Sequence, residues 1–403
     1  MEASERLSAA VGRIGTSATM RITARAAELR AAGVEVCALS AGEPDAPTPP
    51  HVAEAARRAV ERGRIGYTPP QGLAELRSAI SEDLRRRHGM ICGPDEIIVT
   101  SGGKQAIFNA LLATLDPGDE VIIPAPYWVS YPEIVRFAGA RPVILPTGPE
   151  RGWRPEPGAL AARIGPRTRW LILNAPANPT GAGLDRATLE GLAEVLRAHP
   201  QVMVLSDDIY AAITYPPHRF TPLAAVAPDL AERILVVDGV SKAHAMTGWR
   251  IGWGAGPAWL IGAMTRIQSH STSCASAVSQ HAAIAALTGP QDHVAAMRAA
   301  FARRRARVLE GLGAIEGLRV HPPEGAFYAW IEVGELIGRQ SAGGRSIGDD
   351  VELAEALLEE AGVALVPGSA FGWPGALRLS FAAADEVIER ALERLPRFAA
   401  ELR

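Results

Sequence analysis

In this chain of 403 residues, hydrophobic side chains make up 48% and charged ones 21%, with a formal net charge of −3. That length predicts about two domains with ample core, and the near-balanced charge offers no basic field for nucleic acid. No uninterrupted apolar segment is long enough to cross a bilayer, and Met1–Arg6 lacks the basic-then-apolar pattern of a secretory leader, so a cytoplasmic protein is expected. Cys37, Cys92 and Cys274 lie far apart without metal-ligand spacing, which predicts neither a disulfide framework nor a metal site and fits a reducing compartment.

In chain order, residues 18–32 read as a helix ending at Gly33, and Val34–Leu39 as a short strand leading into Ser40-Ala41-Gly42-Glu43-Pro44-Asp45. Helices follow at 51–62 and 73–88, separated by the loop Tyr67-Thr68-Pro69-Pro70-Gln71-Gly72. From residue 97 the alternation is regular: strand Ile97–Thr100, helix 104–115, strand Val121–Ile123, helix 130–138, strand Arg141–Leu145 and a helix near 158–164. Strand Trp170–Leu173, helix 185–198 and strands Val202–Ser206 and Ile234–Val237 continue it. Apolar strands alternating with helices predict an α/β domain built on a mostly parallel sheet flanked by helices, with ligands bound at the strand carboxyl ends. A long helix over 289–312 precedes strand Phe327–Val333, helix 350–361, strands Val363–Val366 and Ala376–Phe381, and helix 384–401. This gives a large domain over 46–295 and a smaller α+β domain from 1–45 and 296–403.

Lys242 stands just past the β-branched run Ile234–Val237, on a loop begun by Asp238-Gly239. A partly desolvated lysine there is a candidate for Schiff-base chemistry, and Arg250, eight residues on, suits an anion bound beside it. Taken alone, the lysine also fits a surface loop. Ser101-Gly102-Gly103-Lys104 lies at a strand-to-helix turn where free N–H groups favour a phosphate, but it has neither P-loop nor dinucleotide-binding spacing. Asn174–Gly181 and Asp207-Asp208-Ile209-Tyr210 follow predicted strand ends, where turn chemistry and helix capping are the plain alternatives. Pro179 is a candidate for a cis peptide. Arg378, within Leu377-Arg378-Leu379-Ser380-Phe381, is placed to grip a carboxylate or to form a structural ion pair.

Schiff-base lysine, phosphate cradle, strand-end aspartate, nearby tyrosine and carboxylate-binding arginine together meet the needs of pyridoxal 5'-phosphate. The chain also resembles the class I, fold-type-I aminotransferases, and most of all the bacterial aspartate aminotransferase group. The motifs are Ala-Gly-Glu-Pro-Asp (41–45), Tyr-Thr-Pro-Pro-Gln-Gly (67–72), Pro-Tyr-Trp-Val-Ser-Tyr (126–131), Asn-Pro-Thr-Gly (178–181), Ser-Asp-Asp-Ile-Tyr (206–210), Ser-Lys-Ala-His-Ala-Met-Thr-Gly-Trp-Arg-Ile-Gly (241–252) and Arg-Leu-Ser (378–380).

The resemblance implies that Lys242 anchors the cofactor and acts as general base. Asp207 would pair with the pyridine nitrogen, Tyr210 and Asn178 would hold the 3′-oxygen, and Trp128 would stack on the ring opposite Ile209. Arg250, Ser241 and the amides of Gly103 and Lys104 would bind the phosphate, with Tyr67 reaching the phosphate of the neighbouring subunit in a homodimer with shared active sites. Arg378, Asn178 and the Gly42 backbone would take the substrate α-carboxylate. Lys104 would face the distal carboxylate of aspartate or glutamate, under an N-terminal segment, Ser17–Thr19, able to close over the site.

The expected reaction is a ping-pong amino transfer between an L-amino acid, first of all aspartate or glutamate, and a 2-oxo acid. A prephenate or aromatic aminotransferase, a C–S lyase and a β-decarboxylase are alternatives on the same scaffold, and a non-catalytic effector-binding module is the alternative of another class. Gly239 departs from the family pattern where a phosphate-binding serine is common, as do His270 and Cys274 in the segment that approaches the partner's site.

Overall fold

The computed structural model describes residues 6–16, 18–63 and 65–403. After a two-residue strand β1 (Cys37–Ala38), the chain lays down β2 (Ile97–Thr100), β3 (Glu120–Ala125), β4 (Arg141–Pro146), β5 (Thr168–Asn174), β6 (Met203–Asp207), β7 (Ile234–Gly239) and β8 (Gly252–Ala255). The last seven form one sheet in the order β2-β8-β7-β6-β5-β3-β4. Pairs from β4 across to β7 are parallel, whereas β8 runs antiparallel to both β7 and β2. The antiparallel step follows from the connection: residues 240–251 turn straight back beside β7, with no crossover helix.

Two-residue alternation sorts the strand side chains between the sheet's faces. Leu171, Leu173, Val204, Ile234 and Val236 join one apolar core with the helices Ala74–His88, Arg186–Ala198 and Ala277–Thr288. Trp170, Ile172, Leu205, Leu235 and Val237 join the opposite core with the helices Gly103–Thr114, Ser130–Phe137 and Ala258–Ser269. Coverage on both faces explains why these strands read as continuous apolar runs, each buried Leu, Ile or Val being worth about 1.5–3 kcal/mol.

A second sheet, β9 (Arg319–His321), β10 (Tyr328–Glu332), β12 (Val366–Pro367) and β13 (Ala376–Ser380), has the order β12-β13-β10-β9 with antiparallel pairings, and β11 (Val363–Ala364) pairs in parallel with β1. Met297, Phe301, Val308 and Leu312 lie at helical spacing along the helix Asp292–Gly313 and enter the core beneath this sheet.

Several expectations change. The strand β8 and the helices Ala258–Ser269 and Ala277–Thr288 were not anticipated. The long helix begins at Asp292, not 289, because Gly289-Pro290 intervene after the preceding helix. The expected strand Val363–Val366 divides between β11 and β12, which belong to different sheets, and Val34–Leu39 contributes only Cys37–Ala38 to a ladder. Among the described residues, no helix is long and apolar enough to cross a membrane.

Candidate active site

Parallel register brings Asn174, Asp207 and Val237 abreast at the carboxyl ends of β5, β6 and β7. Asp207 is buried, and its carboxylate accepts a hydrogen bond from Tyr131 Oη at 2.6 Å and a longer one from Ile209 N at 3.4 Å. Burial pushes the Asp207 carboxyl up to about 7; these donors oppose the shift, and the charges of Asp208 and Asp238 add to it. Asn174 stitches the strand ends together, donating to the Asp207 carbonyl and accepting from Asn178 N, each at 2.8 Å. The Asn178–Pro179 peptide is cis.

The turn from β7 to β8 carries Ser241, Lys242 and Arg250, with Ala245 and Arg250 both in the left-handed region at φ 51° and 56°. Such residues cost of order 1 kcal/mol or more, so the surrounding packing holds the turn in a set shape. Lys242 Nζ donates to the Gly42 carbonyl at 2.5 Å. Burial is the main cause that brings its amine down to about 8; Glu43 pulls the other way, and Arg378 and Arg250 push it lower. Arg250 donates to the Thr247 carbonyl at 2.8 Å and lies against Gly102, where a Cβ would stand 2.4 Å from its Nη2. Gly102, at φ 85°, opens the helix Gly103–Thr114 without a side-chain cap, so the first-turn amides at Gly103 and Lys104 stay available to a ligand.

Two further glycines allow this approach. A Cβ on Gly252 would meet Gly103 N at 2.2 Å. One on Gly239 would sit 2.9 Å from both Gly252 Cα and the Ile251 carbonyl, so the departure at Gly239 coincides with tight backbone contact.

Arg378 arrives from β13 of the smaller sheet. It donates to Asn178 Oδ1 at 2.8 Å and to the Ser40 carbonyl at 2.7 Å, while its buried Nε has no partner. Its guanidinium lies 4.5 Å from the Tyr328 ring centre and 4.9 Å from that of Phe371. Tyr328 Oη shares a 2.8 Å hydrogen bond with Tyr210 Oη, and Gly42 lies close enough to Tyr328 that a Cβ would come within 2.6 Å of that hydroxyl.

A cleft of about 610 Å³ gathers Gly42, Gly103, Lys104, Trp128, Asn178, Asp207, Tyr210, Ser241, Lys242, Arg250 and Arg378. Lys104 Nζ lies 4.8 Å over the Trp128 ring, and burial together with Arg250 lowers its pKa. Thr19 and Met20 also border the cleft, while Ser17 falls outside the described residues. Tyr67 does not line it and is 95% exposed. In the segment 268–274, Gln268 is wholly buried and anchored to the Val99 and Pro70 carbonyls, and Thr272 accepts from Gln105.

Sequence reasoning gave no role to Tyr131, Asn174, Tyr328 or the Ser40 carbonyl, whose contacts join distant parts of the chain. The composition itself carries one further signal. Of the 41 lysines and arginines, only Lys104 and Lys242 are lysines, and both line the cleft.

Four cations therefore face one space, and among the described residues neither Arg250 nor Arg378 has a carboxylate partner. Buried or crowded cations without counter-charges fit a ligand that carries its own anions. The amine lowered toward neutrality adds a nucleophile.

Residues 34–395 match the family described as aminotransferase class I and II. The chain is 49% identical to an aspartate/prephenate aminotransferase of Cereibacter sphaeroides, over 98% of this chain and 99% of that one. The solved aspartate aminotransferase of Rhizobium meliloti superposes with a TM-score of 0.95 at 45% identity, covering 99% and 100% of the two chains. That of Thermus thermophilus with maleate gives 0.91 at 45%, covering 97% and 99%.

Proposed function

Because the chain belongs to the class I and II aminotransferases, we propose that it uses pyridoxal phosphate to move an amino group between aspartate or glutamate and a 2-oxo acid. The observation that carries this reading is the set Lys104, Arg250 and Arg378, with no carboxylate partner on either arginine among the described residues, around the Lys242 amine lowered to about 8, in a cleft that also holds the carboxylates of Asp207 and Glu43. The residues fit the cofactor: Arg250, Ser241 and the first-turn amides of Gly103 and Lys104 form a cradle for a phosphate, Trp128 and Ile209 offer apolar faces for a ring, and Asp207 meets a ring nitrogen. When bound, pyridoxal phosphate supplies the electron sink for the carbanion that forms at the substrate α-carbon.

The protein's own groups do the rest. Arg378 and Asn178 orient the donor by its α-carboxylate, with the Gly42 amide beside them. Lys242 Nζ would take the proton from the donor's α-carbon and deliver it to the cofactor's C4′ within the same half-reaction, and run that transfer in reverse in the second; the two charges of Arg378 and Arg250 keep its amine ready to accept the proton. Tyr210 and Asn178 hold the 3′-oxygen. Lys104 faces a distal carboxylate, a reading supported by the relative solved with maleate, a four-carbon dicarboxylate.

Tyr67 completes the phosphate site of a second subunit in a homodimer, which accounts for its exposure in the single chain. Prephenate is a second amino acceptor on this reading, favoured by the 49% identical relative named for both activities. The test is incubation of the purified holoenzyme with aspartate and 2-oxoglutarate. Oxaloacetate and glutamate are expected in equal amounts, and their absence rejects the proposal. Prephenate in place of 2-oxoglutarate tests the second reading.

A further inference from the structure

Beside Asp207, but outside the cleft lining, lies a buried charge cluster that the reaction does not use. His88 closes the helix Ala74–His88 and is 1% exposed. Its Nδ1 is 3.3 Å from Asp208 Oδ2 and its Nε2 is 3.9 Å from Asp238 Oδ2, with the edge of the Phe220 ring against it. Asp208 and Asp238 are themselves buried. Asp208 takes one hydrogen bond from Ser206 Oγ at 2.7 Å, and Asp238 takes one from Gly239 N at 2.7 Å. Arg87 reaches Asp238 at 2.7 Å but is shared with Asp83 on its own helix, which also pairs with Arg86.

The charge count then points one way. Among the described residues, Asp208 has no cationic neighbour except His88, and a buried carboxylate without a counter-charge costs several kcal/mol. Both imidazole nitrogens and Asp208 Oδ2 are buried without a hydrogen-bond partner, so the carboxylates at 3.3 and 3.9 Å act on the ring through charge, and a charged ring is what offsets them. The carbonyl end of a helix favours a cation as well. His244, the other buried histidine near Arg87, cannot supply the charge, since burial and His293 bring it down to about 3.

We propose that His88 is a buried imidazolium that offsets Asp208 and Asp238 and thereby keeps Asp207 a carboxylate opposite the cofactor's ring nitrogen. This rests on the reading of Asp207 given above. Asp208 is adjacent in sequence, and Asp238 follows Val237, the register partner of Asp207. Both charges act on Asp207 at close range, so removing the offsetting cation draws a shared proton from the ring nitrogen toward Asp207. His88 touches no substrate; it is a positioning residue that acts through charge.

Two spectroscopic measurements on the whole protein test this. In apoenzyme carrying ¹⁵N-histidine, the imidazole signal missing from His88→Gln is expected to report the charged form at pH 7; if that variant does not fold, the charge-balanced His88→Gln/Asp208→Asn pair identifies the signal. A neutral imidazole at pH 7 overturns the proposal. In holoenzyme loaded with ring-¹⁵N pyridoxal phosphate, His88→Gln is expected to shift the ring-nitrogen signal toward unprotonated pyridine, and the added Asp208→Asn to return it. A charged His88 whose loss leaves the ring nitrogen unmoved also overturns it, leaving the residue structural. An unprotonated ring nitrogen in the wild-type holoenzyme instead rejects the role of Asp207, while the apoenzyme spectrum still reports the charge on His88.

Discussion

Arg378 donates to Asn178 Oδ1 at 2.8 Å, and this contact joins β13 of the smaller sheet to the loop after β5 of the larger one. Asn178 is held in turn by Asn174, which also grips the Asp207 carbonyl. Arg378, proposed to bind the substrate carboxylate, is thus set in register with the residue proposed to meet the cofactor nitrogen, through two side-chain amides. A substrate bound at Arg378 is placed relative to Asp207 by direct hydrogen bonds across the two sheets.

Arg378→Lys is the informative substitution, because a lysine keeps the charge but loses the planar fork and its hold on Asn178. Breaking a buried, hydrogen-bonded charge contact costs about 3–4 kcal/mol, so kcat/KM for aspartate is expected to fall by roughly 100-fold to 1,000-fold. Steady-state kinetics that stay within about twofold of wild type would remove Arg378 from the substrate site.

Lys242 yields a pH prediction. With its amine brought down to about 8, the neutral fraction rises with pH through that value and changes little above it. Covalent capture of pyridoxal phosphate by apoenzyme should accelerate across the same range and then level off. Because Lys104 is the only other lysine, borohydride trapping followed by peptide mass spectrometry has two lysine positions to distinguish. The adduct is expected on Lys242, and Lys242→Ala should still bind the cofactor but lose the visible band and turnover. Trapping on Lys104, or a turnover-competent Lys242→Ala, rejects the assignment.

Asp207 links function to stability in the opposite sense. Its folded-state carboxyl is raised from the ordinary 3.8 to about 7, so its contribution to stability is full below the unfolded value and is lost as pH rises through about 7. Asp207→Asn removes the buried charge while keeping an acceptor for Tyr131. The variant apoenzyme is therefore expected to be more stable than wild type at pH 8, by roughly 2–4 kcal/mol, and equal to it near pH 4. Denaturant unfolding at the two pH values checks this, and transamination should fall by at least about 100-fold. A variant less stable than wild type at pH 8 would contradict the buried-charge account.

The parallel strands were legible because their burial on both faces writes itself as Ile97–Thr100, Trp170–Leu173 and Ile234–Val237, runs that a helix or loop would not need. The strand β8 was not legible. Gly-Trp-Gly-Ala reads as a turn, yet Gly252 is there because the backbone of Gly102 and Gly103 passes where its side chain would be. Lys242, Asp207 and Arg378 could be picked out because each is a charged residue at the end of, or inside, an apolar run. Tyr131 and Asn174 could not, since their partners stand 76 and 33 residues away and no local pattern marks a contact at that separation. His88 was hidden for a related reason: it ends a basic helical stretch that reads as a solvated face, while the sheet buries that end against Asp208 and Asp238.

Tyr67 supplies the last prediction, on subunit sharing. Its ring is 95% exposed in the single chain and stands outside the cleft of its own subunit. If its hydroxyl donates to the phosphate bound by a second subunit, Tyr67→Phe should loosen the cofactor by about 10-fold to 100-fold, the worth of one hydrogen bond to a charged group. Location is decided by a hybrid dimer of one Tyr67→Phe subunit and one Lys242→Ala subunit, isolated with two affinity tags. Its only site with a lysine draws Tyr67 from the Lys242→Ala chain under the shared arrangement, so that site should hold the cofactor as tightly as wild type and turn over normally. If Tyr67 served its own subunit instead, that same site would carry the phenylalanine, and the hybrid would lose cofactor as fast as the Tyr67→Phe homodimer. Retention measured by gel filtration in cofactor-free buffer separates the two arrangements.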